Sequence, residues 1–143
     1  MDWALLFSAV NIIALIGWVL LAFTPRGPLV HSIVLFLGAG LLCLIYVAGL
    51  ASITTSDGGL NLSDFGSIEG IRSLFAADAG IVIGWTHYLA FDLFVGQWIA
   101  KEADQRGFSR LVQLPILLFT LMAGPLGLLV WLIVRGRRPV RRG

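Results

Sequence analysis

Apolar residues fall in four long blocks along this chain, residues 3 to 23, 29 to 51, 79 to 100 and 111 to 134, separated by polar breaks. At about 1.5 Å per helical residue each block is long enough to cross a hydrocarbon core of about 30 Å. The pattern predicts an all-α fold, an integral membrane four-helix bundle forming a single domain over residues 1–143. The run Thr24-Pro25-Arg26-Gly27-Pro28 sets a tight turn, so the first two spans are expected to be antiparallel neighbours. The polar stretch from Lys101 to Gly107 joins the third and fourth spans. Residues 52 to 78 form the one long connection, where composition shifts to Ser, Asp and Gly. In its second half Ser67 can cap a short helix over about 67–76, with Ile68, Ile71, Leu74 and Phe75 on one face and Glu69 and Arg72 on another. That is the pattern of an interfacial helix, either a surface helix with a solvent ion pair or a lid over a pocket. Asp57-Gly58-Gly59 reads as a turn, because the spacing of a calcium loop is missing.

Polar residues inside the blocks carry the candidate chemistry. Asp92 lies near the middle of the third span, where a carboxylate costs about 2.5–3.5 kcal/mol on insertion scales and must face protein or water. At 100° per residue Trp85, Tyr88 and Asp92 share one stripe, while His87 is about 140° from Asp92 and looks sideways. Either the stripe alone lines a pocket and His87 reaches a neighbouring helix, or the pocket is wide enough to touch both. Trp98 fits an interfacial aromatic belt, and His31 lies close enough to the interface to be solvated. Asn11 in the first span is expected to bond across helices. Pro115 falls where a missing N–H is cheap, but Pro125 sits mid-span between Gly124 and Gly127. It removes a backbone hydrogen bond, predicts a kink, and leaves a carbonyl one turn earlier without its partner. Irregular backbone at membrane depth lines cavities or is buried in protein, so the Pro125 region is expected opposite the Asp92 stripe.

Composition removes the soluble alternatives. The chain is 58% hydrophobic and 13% charged, with a mean hydropathy of +0.92, far from a soluble domain. Cys43 is the single cysteine and lies in an apolar run, so neither an intrachain disulfide nor a zinc site is expected. No dinucleotide fingerprint, phosphate loop or metal cluster is present in the sequence, and the expectation is a protein with no cofactor and no metal. The first block lacks a basic leader and is too long for a cleaved signal, so it reads as a retained helix. Five of the ten basic residues are Arg135, Arg137, Arg138, Arg141 and Arg142. After four apolar segments such a tail is expected to anchor on anionic lipid, and no nucleic acid partner is predicted. With four spans the N-terminus, the long connection and the tail would share one face, carrying Arg72 and the tail arginines against Arg26, Lys101, Arg106 and Arg110. That balance predicts both termini in the cytoplasm.

The strings EGIRSLF, GWTHYLAFDLFVGQWIA and LPILLFTLMAGPLGLL, in this order across four hydrophobic spans, resemble the small membrane proteins similar to the plant abscisic-acid-deficient-four protein. The resemblance covers about residues 3 to 134, and WTHYLAFDLFVG is its most specific element. Glu69, Arg72, Trp85, His87, Tyr88, Asp92 and Pro125 occupy matching motif positions. The plant protein is associated with formation of neoxanthin from violaxanthin, so the resemblance implies a carotenoid or other isoprenoid lipid as ligand. The chain starts directly at its first span, with no transit peptide, which points to a bacterial inner membrane. Violaxanthin to neoxanthin is an isomerisation that needs one acid and one base, roles a carboxyl and an imidazole can fill. Asp92, His87 and Glu69 are the catalytic candidates. Arg72, Trp85, Tyr88, Phe91, Asn11 and Pro125 are the substrate-binding candidates. The alternative is a noncatalytic module that binds pigment, membrane lipid, a second copy or a partner membrane enzyme, with Asp92 as structural glue. A transporter is less favoured in a short chain with no internal repeat.

Overall fold

Three of the apolar blocks become continuous helices long and apolar enough to cross a membrane, and the fourth does not. In the computed structural model the described residues are 2–55 and 62–136. The turn at Asp57-Gly58-Gly59 and the arginines beyond Gly136 lie outside them. Helix α1 (Trp3–Phe23) starts where the Asp2 carboxylate accepts from the Leu5 N–H at 3.0 Å. It stops at Thr24, held extended ahead of Pro25, and α2 (Pro28–Thr54) begins on Pro28 at its first position. Residues Ile33–Gly40 of α2 are wound as a π-helix. A 3-10 turn (Leu62–Gly66) leads to α3 (Ile68–Leu74), where Ser67 accepts from the Gly70 N–H at 3.0 Å. Helix α4 (Asp78–Gln105) spans 28 residues, about 42 Å. It closes on Gly107 at φ 70°, with the Phe108 N–H bonded to the Ala103 carbonyl and the Gly107 N–H to that of Asp104.

Helix α4 is the axis of the bundle, packed on α1, α2 and both helices that follow it. Val10, Leu21, Leu42, Leu93, Ile99, Leu117 and Trp131 are fully buried around it. Leu29, Phe36, Leu111 and Ile133 are exposed, as a lipid-facing surface requires. Lipid is as apolar as leucine, so these helices are held by close packing and by polar contacts between them.

The four-helix bundle expected from the sequence needs correction in its last span. The fourth block is two helices, α5 (Arg110–Met122) and α6 (Gly124–Arg135), broken at Ala123 with φ −157° and ψ 82°. Lengths of 13 and 12 residues correspond to about 20 and 18 Å, too short for either to cross alone. They fold back on each other. A Cβ on Gly127 would lie 2.4 Å from the Thr120 nitrogen, so the two backbones touch seven residues apart, where a continuous helix would separate them by about 10 Å. At the open end Phe108 meets Trp131 edge to face at 5.2 Å. The Trp131 indole N–H and the Arg135 guanidinium then donate to Glu102 at 2.8 and 2.7 Å. The chain enters the bundle, turns beside the middle of α4, and leaves at the end it entered. Arg135, the last arginine among the described residues, therefore lies at the Arg26 and Lys101 end, away from Asp2 and α3.

Candidate functional site

Asp92 sits where the hairpin turns. Its side chain is buried, with the residue 7% exposed, against Gly124. A Cβ at position 124 would come within 1.8 Å of Oδ1, so only glycine lets the carboxylate approach the first residue of α6. Asp92 Oδ1 packs against Gly124, and Oδ2 has no partner among the described residues. Ala123 provides no side-chain cap and Pro125 has no N–H, so the carboxylate stands at the uncapped, positive end of α6. A negative charge at a helix N-terminus is favoured by up to about 2 kcal/mol in a partly buried setting, which offsets part of the cost of about 2.5–3.5 kcal/mol for placing the charge at mid-membrane.

The stripe predicted on α4 is present and continues onto α1. Tyr88 stacks on Trp85 with ring centroids 5.2 Å apart, and the Trp85 indole N–H donates to Asn11 Oδ1 at 3.1 Å. The Tyr88 hydroxyl also lies 3.5 Å from the Leu121 carbonyl, four residues before Pro125 and therefore the oxygen that proline leaves without its helical partner. Leu121 belongs to a second feature. Its side chain and those of Leu15, Trp18, Phe23, Leu114 and Leu118 line a groove of about 550 Å³ between α1 and α5, with an almost wholly apolar wall. Leu121 is therefore shared by the groove wall and by the contact of the Tyr88 hydroxyl.

The ABA DEFICIENT 4-like family model matches residues 5–131, from the first turn of α1 to Trp131 in α6. The chain belongs to the ABA DEFICIENT 4-like family. No curated protein and no solved structure matches it.

In this ABA DEFICIENT 4-like chain His87 and Asp92 are not brought together. His87 turns to α2 and α3, stacked on Phe91 at 4.6 Å and tilted against Tyr46 at 5.4 Å. It lines a separate cleft of about 260 Å³ with Tyr46, Leu50, Ile71, Leu74 and Phe75. Helix α3 roofs this cleft, and Phe75 packs against Gly84. Phe91 is exposed beside His87. Glu69 and Arg72 face outward, 3.9 Å apart with side chains 79% and 74% exposed, and line neither site. Pro125 is exposed and acts through the break that follows Ala123.

Several functional-looking residues of the ABA DEFICIENT 4-like chain escaped the sequence reading. Gln97 and Gln113 are buried, at 7% and 0% exposure, inside blocks read as apolar. Gln113 donates to Asp104 and to the Phe108 carbonyl and accepts from Arg26. Arg26 also bonds the carbonyls of Leu21 and Ala100 and pairs with Asp104 at 3.1 Å, which joins the ends of α1 and α4 to the start of α5. The signal was available, because the rule that singled out Asp92 applies equally to an amide inside a span.

Proposed function

We propose that this protein binds a carotenoid-like isoprenoid in the groove between α1 and α5 and isomerises its ring end at Asp92, without a cofactor. Family membership supplies the substrate class, through the association of the plant relative with neoxanthin formation. The observation that carries the reading is an apolar groove whose wall residue Leu121 also takes the contact of the Tyr88 hydroxyl, on the α4 stripe that holds a buried carboxylate with one oxygen unpartnered among the described residues. An apolar polyene suits the groove wall, and an oxygenated ring suits the row of Asn11, Trp85, Tyr88 and Asp92.

The separation of His87 from Asp92 changes the acid and base pair that the chemistry uses. Opening an epoxide to an allene needs a proton delivered to the oxygen as the C–O bond breaks and a proton removed from a neighbouring carbon. Tyr88 supplies the first and the Asp92 carboxylate accepts the second. Tyr88 and Asp92 lie one turn apart on α4, and return of the proton from Asp92 to Tyr88 regenerates both groups with no electrons transferred.

A noncatalytic reading has its own support: Asp92 packs against Gly124 at the positive end of α6, which is a structural role in itself. Expression in cells that accumulate an epoxidised carotenoid separates the two. Extraction should yield an isomer of unchanged mass, and carotenoid should co-purify with the protein. Bound carotenoid without isomer would leave the noncatalytic reading, and neither bound carotenoid nor isomer would remove both.

A further inference from the structure

Polar atoms without partners gather at the end of the bundle opposite α3. A cavity of about 480 Å³ there is lined by Arg26, His31, Ser32, Gln97, Lys101 and Asp104 together with apolar side chains. The Arg26 side chain is 0% exposed, and its Nε and Nη1 are fully used while Nη2 has no partner among the described residues. Gln97 donates its Nε2 to the His31 carbonyl at 2.8 Å, which fixes the amide and leaves Oε1 unpaired. The His31 Nδ1 is likewise without a partner among the described residues. Unmade bonds of this kind cost about 1–3 kcal/mol each, so three around one cavity describe a site that expects a ligand.

The charges facing the cavity define the ligand. Arg26, Lys101 and Arg110 act on it against the single carboxylate of Asp104, which is already held by Arg26 and Gln113. Burial pushes the Arg26 pKa down even with Asp104 raising it, the mark of a guanidinium short of negative charge. The donors Arg26 Nη2 and Lys101 call for an anion, and the acceptor Gln97 Oε1 calls for a hydroxyl on the same molecule. A halide or an ionised carboxylate alone meets only the first demand. We infer that the cavity binds a phosphate group with an adjoining hydroxyl, carried by a lipid head group or by a soluble phosphate. The site is separate from Asp92 and does not depend on the reaction proposed there.

Arg26 also ties three helix ends together, so its removal tests folding more than binding. Lys101→Gln alters the cavity wall, whereas Gln97→Glu also gives up the bond to the His31 carbonyl, so each variant is first checked for folding. The full chain in detergent is melted against inorganic phosphate and, at equal ionic strength, chloride. In parallel, retention of phosphatidylglycerol over phosphatidylcholine from mixed vesicles is measured by mass spectrometry of the purified protein. Stabilisation by inorganic phosphate would assign a soluble ligand, and selective retention of phosphatidylglycerol alone would assign a lipid. In either case Lys101→Gln should weaken binding about tenfold or more, the effect of one charge-assisted hydrogen bond, with Gln97→Glu weakening it further. No preference for phosphate over chloride together with no preference for phosphatidylglycerol would overturn the inference, as would unchanged binding in Lys101→Gln.

Discussion

Asp92 Oδ1 occupies the space that a side chain at Gly124 would need, and a Cβ there would lie 1.8 Å away. This contact joins the middle of α4 to the tip of the α5–α6 hairpin, so the carboxylate and the break in the backbone are one structural unit. Gly124→Ala should push Asp92 out of place and destabilise the protein by about 1–3 kcal/mol, the cost of overpacking a tight site. Thermal melting of the variant in detergent checks this, and an unchanged midpoint would show that Asp92 does not seat against α6.

The hairpin is closed at its other end by Glu102, which holds Arg106, Arg135 and Trp131 at 2.7–2.8 Å. Glu102→Gln removes the charge that gathers two arginines and should lower stability by about 1.5–3 kcal/mol. Arg135→Ala should cost less, because Glu102 then keeps Arg106 and Trp131. Equal melting of both variants and the parent would mean that α6 is held by packing alone.

The hairpin also settles which basic residues share an end. Arg26, Lys101, Arg106, Arg110 and Arg135 lie together, and the tail arginines follow Arg135 in sequence, whereas Arg72 is the basic residue at the α3 end. Among the described basic residues the balance is five against one. The rule for basic residues then predicts the C-terminus in the cytoplasm and the N-terminus outside. Reporters fused at each terminus should be active on opposite sides of the membrane. Activity on the same side would contradict the re-entrant path.

How far the sequence could carry this account depends on the range of the forces involved. The Trp85, Tyr88 and Asp92 stripe was legible because helical spacing alone places it, and Ser67 was legible as a cap because capping is local. Pro125 announced a disturbed helix but not a reversal. Proline states which hydrogen bond is lost, and the path after it is chosen by Gly127 against Thr120 and by Glu102 reaching Trp131 and Arg135, contacts between residues far apart in the chain. The topology expectation rested on the same count of crossings, because it assumed that the fourth block spans. His87 was read with its sideways direction in view, and its partners Tyr46 and α3 could not be named from periodicity.

The roof over His87 is a separate prediction. Ile71 and Phe75 line its cleft and Arg72 stays wet, so Phe75→Asp should release α3. Limited proteolysis should then cut near Arg72 several times faster than in the parent. Unchanged protection would show that α3 is held by something other than Phe75.

The central claim is that Asp92 moves a proton, and Asp92→Asn tests it most directly. Asparagine keeps the shape that packs against Gly124, and polar bonds between membrane helices average only about 0.6 kcal/mol, so the fold should survive. The proton transfer should not, at a cost of about 10²–10⁴ in rate. The measurement is conversion of an epoxidised carotenoid by the variant and the parent at equal amounts of folded protein. The account predicts conversion by the parent and near-complete loss in Asp92→Asn, and equal conversion by the two proteins would contradict it.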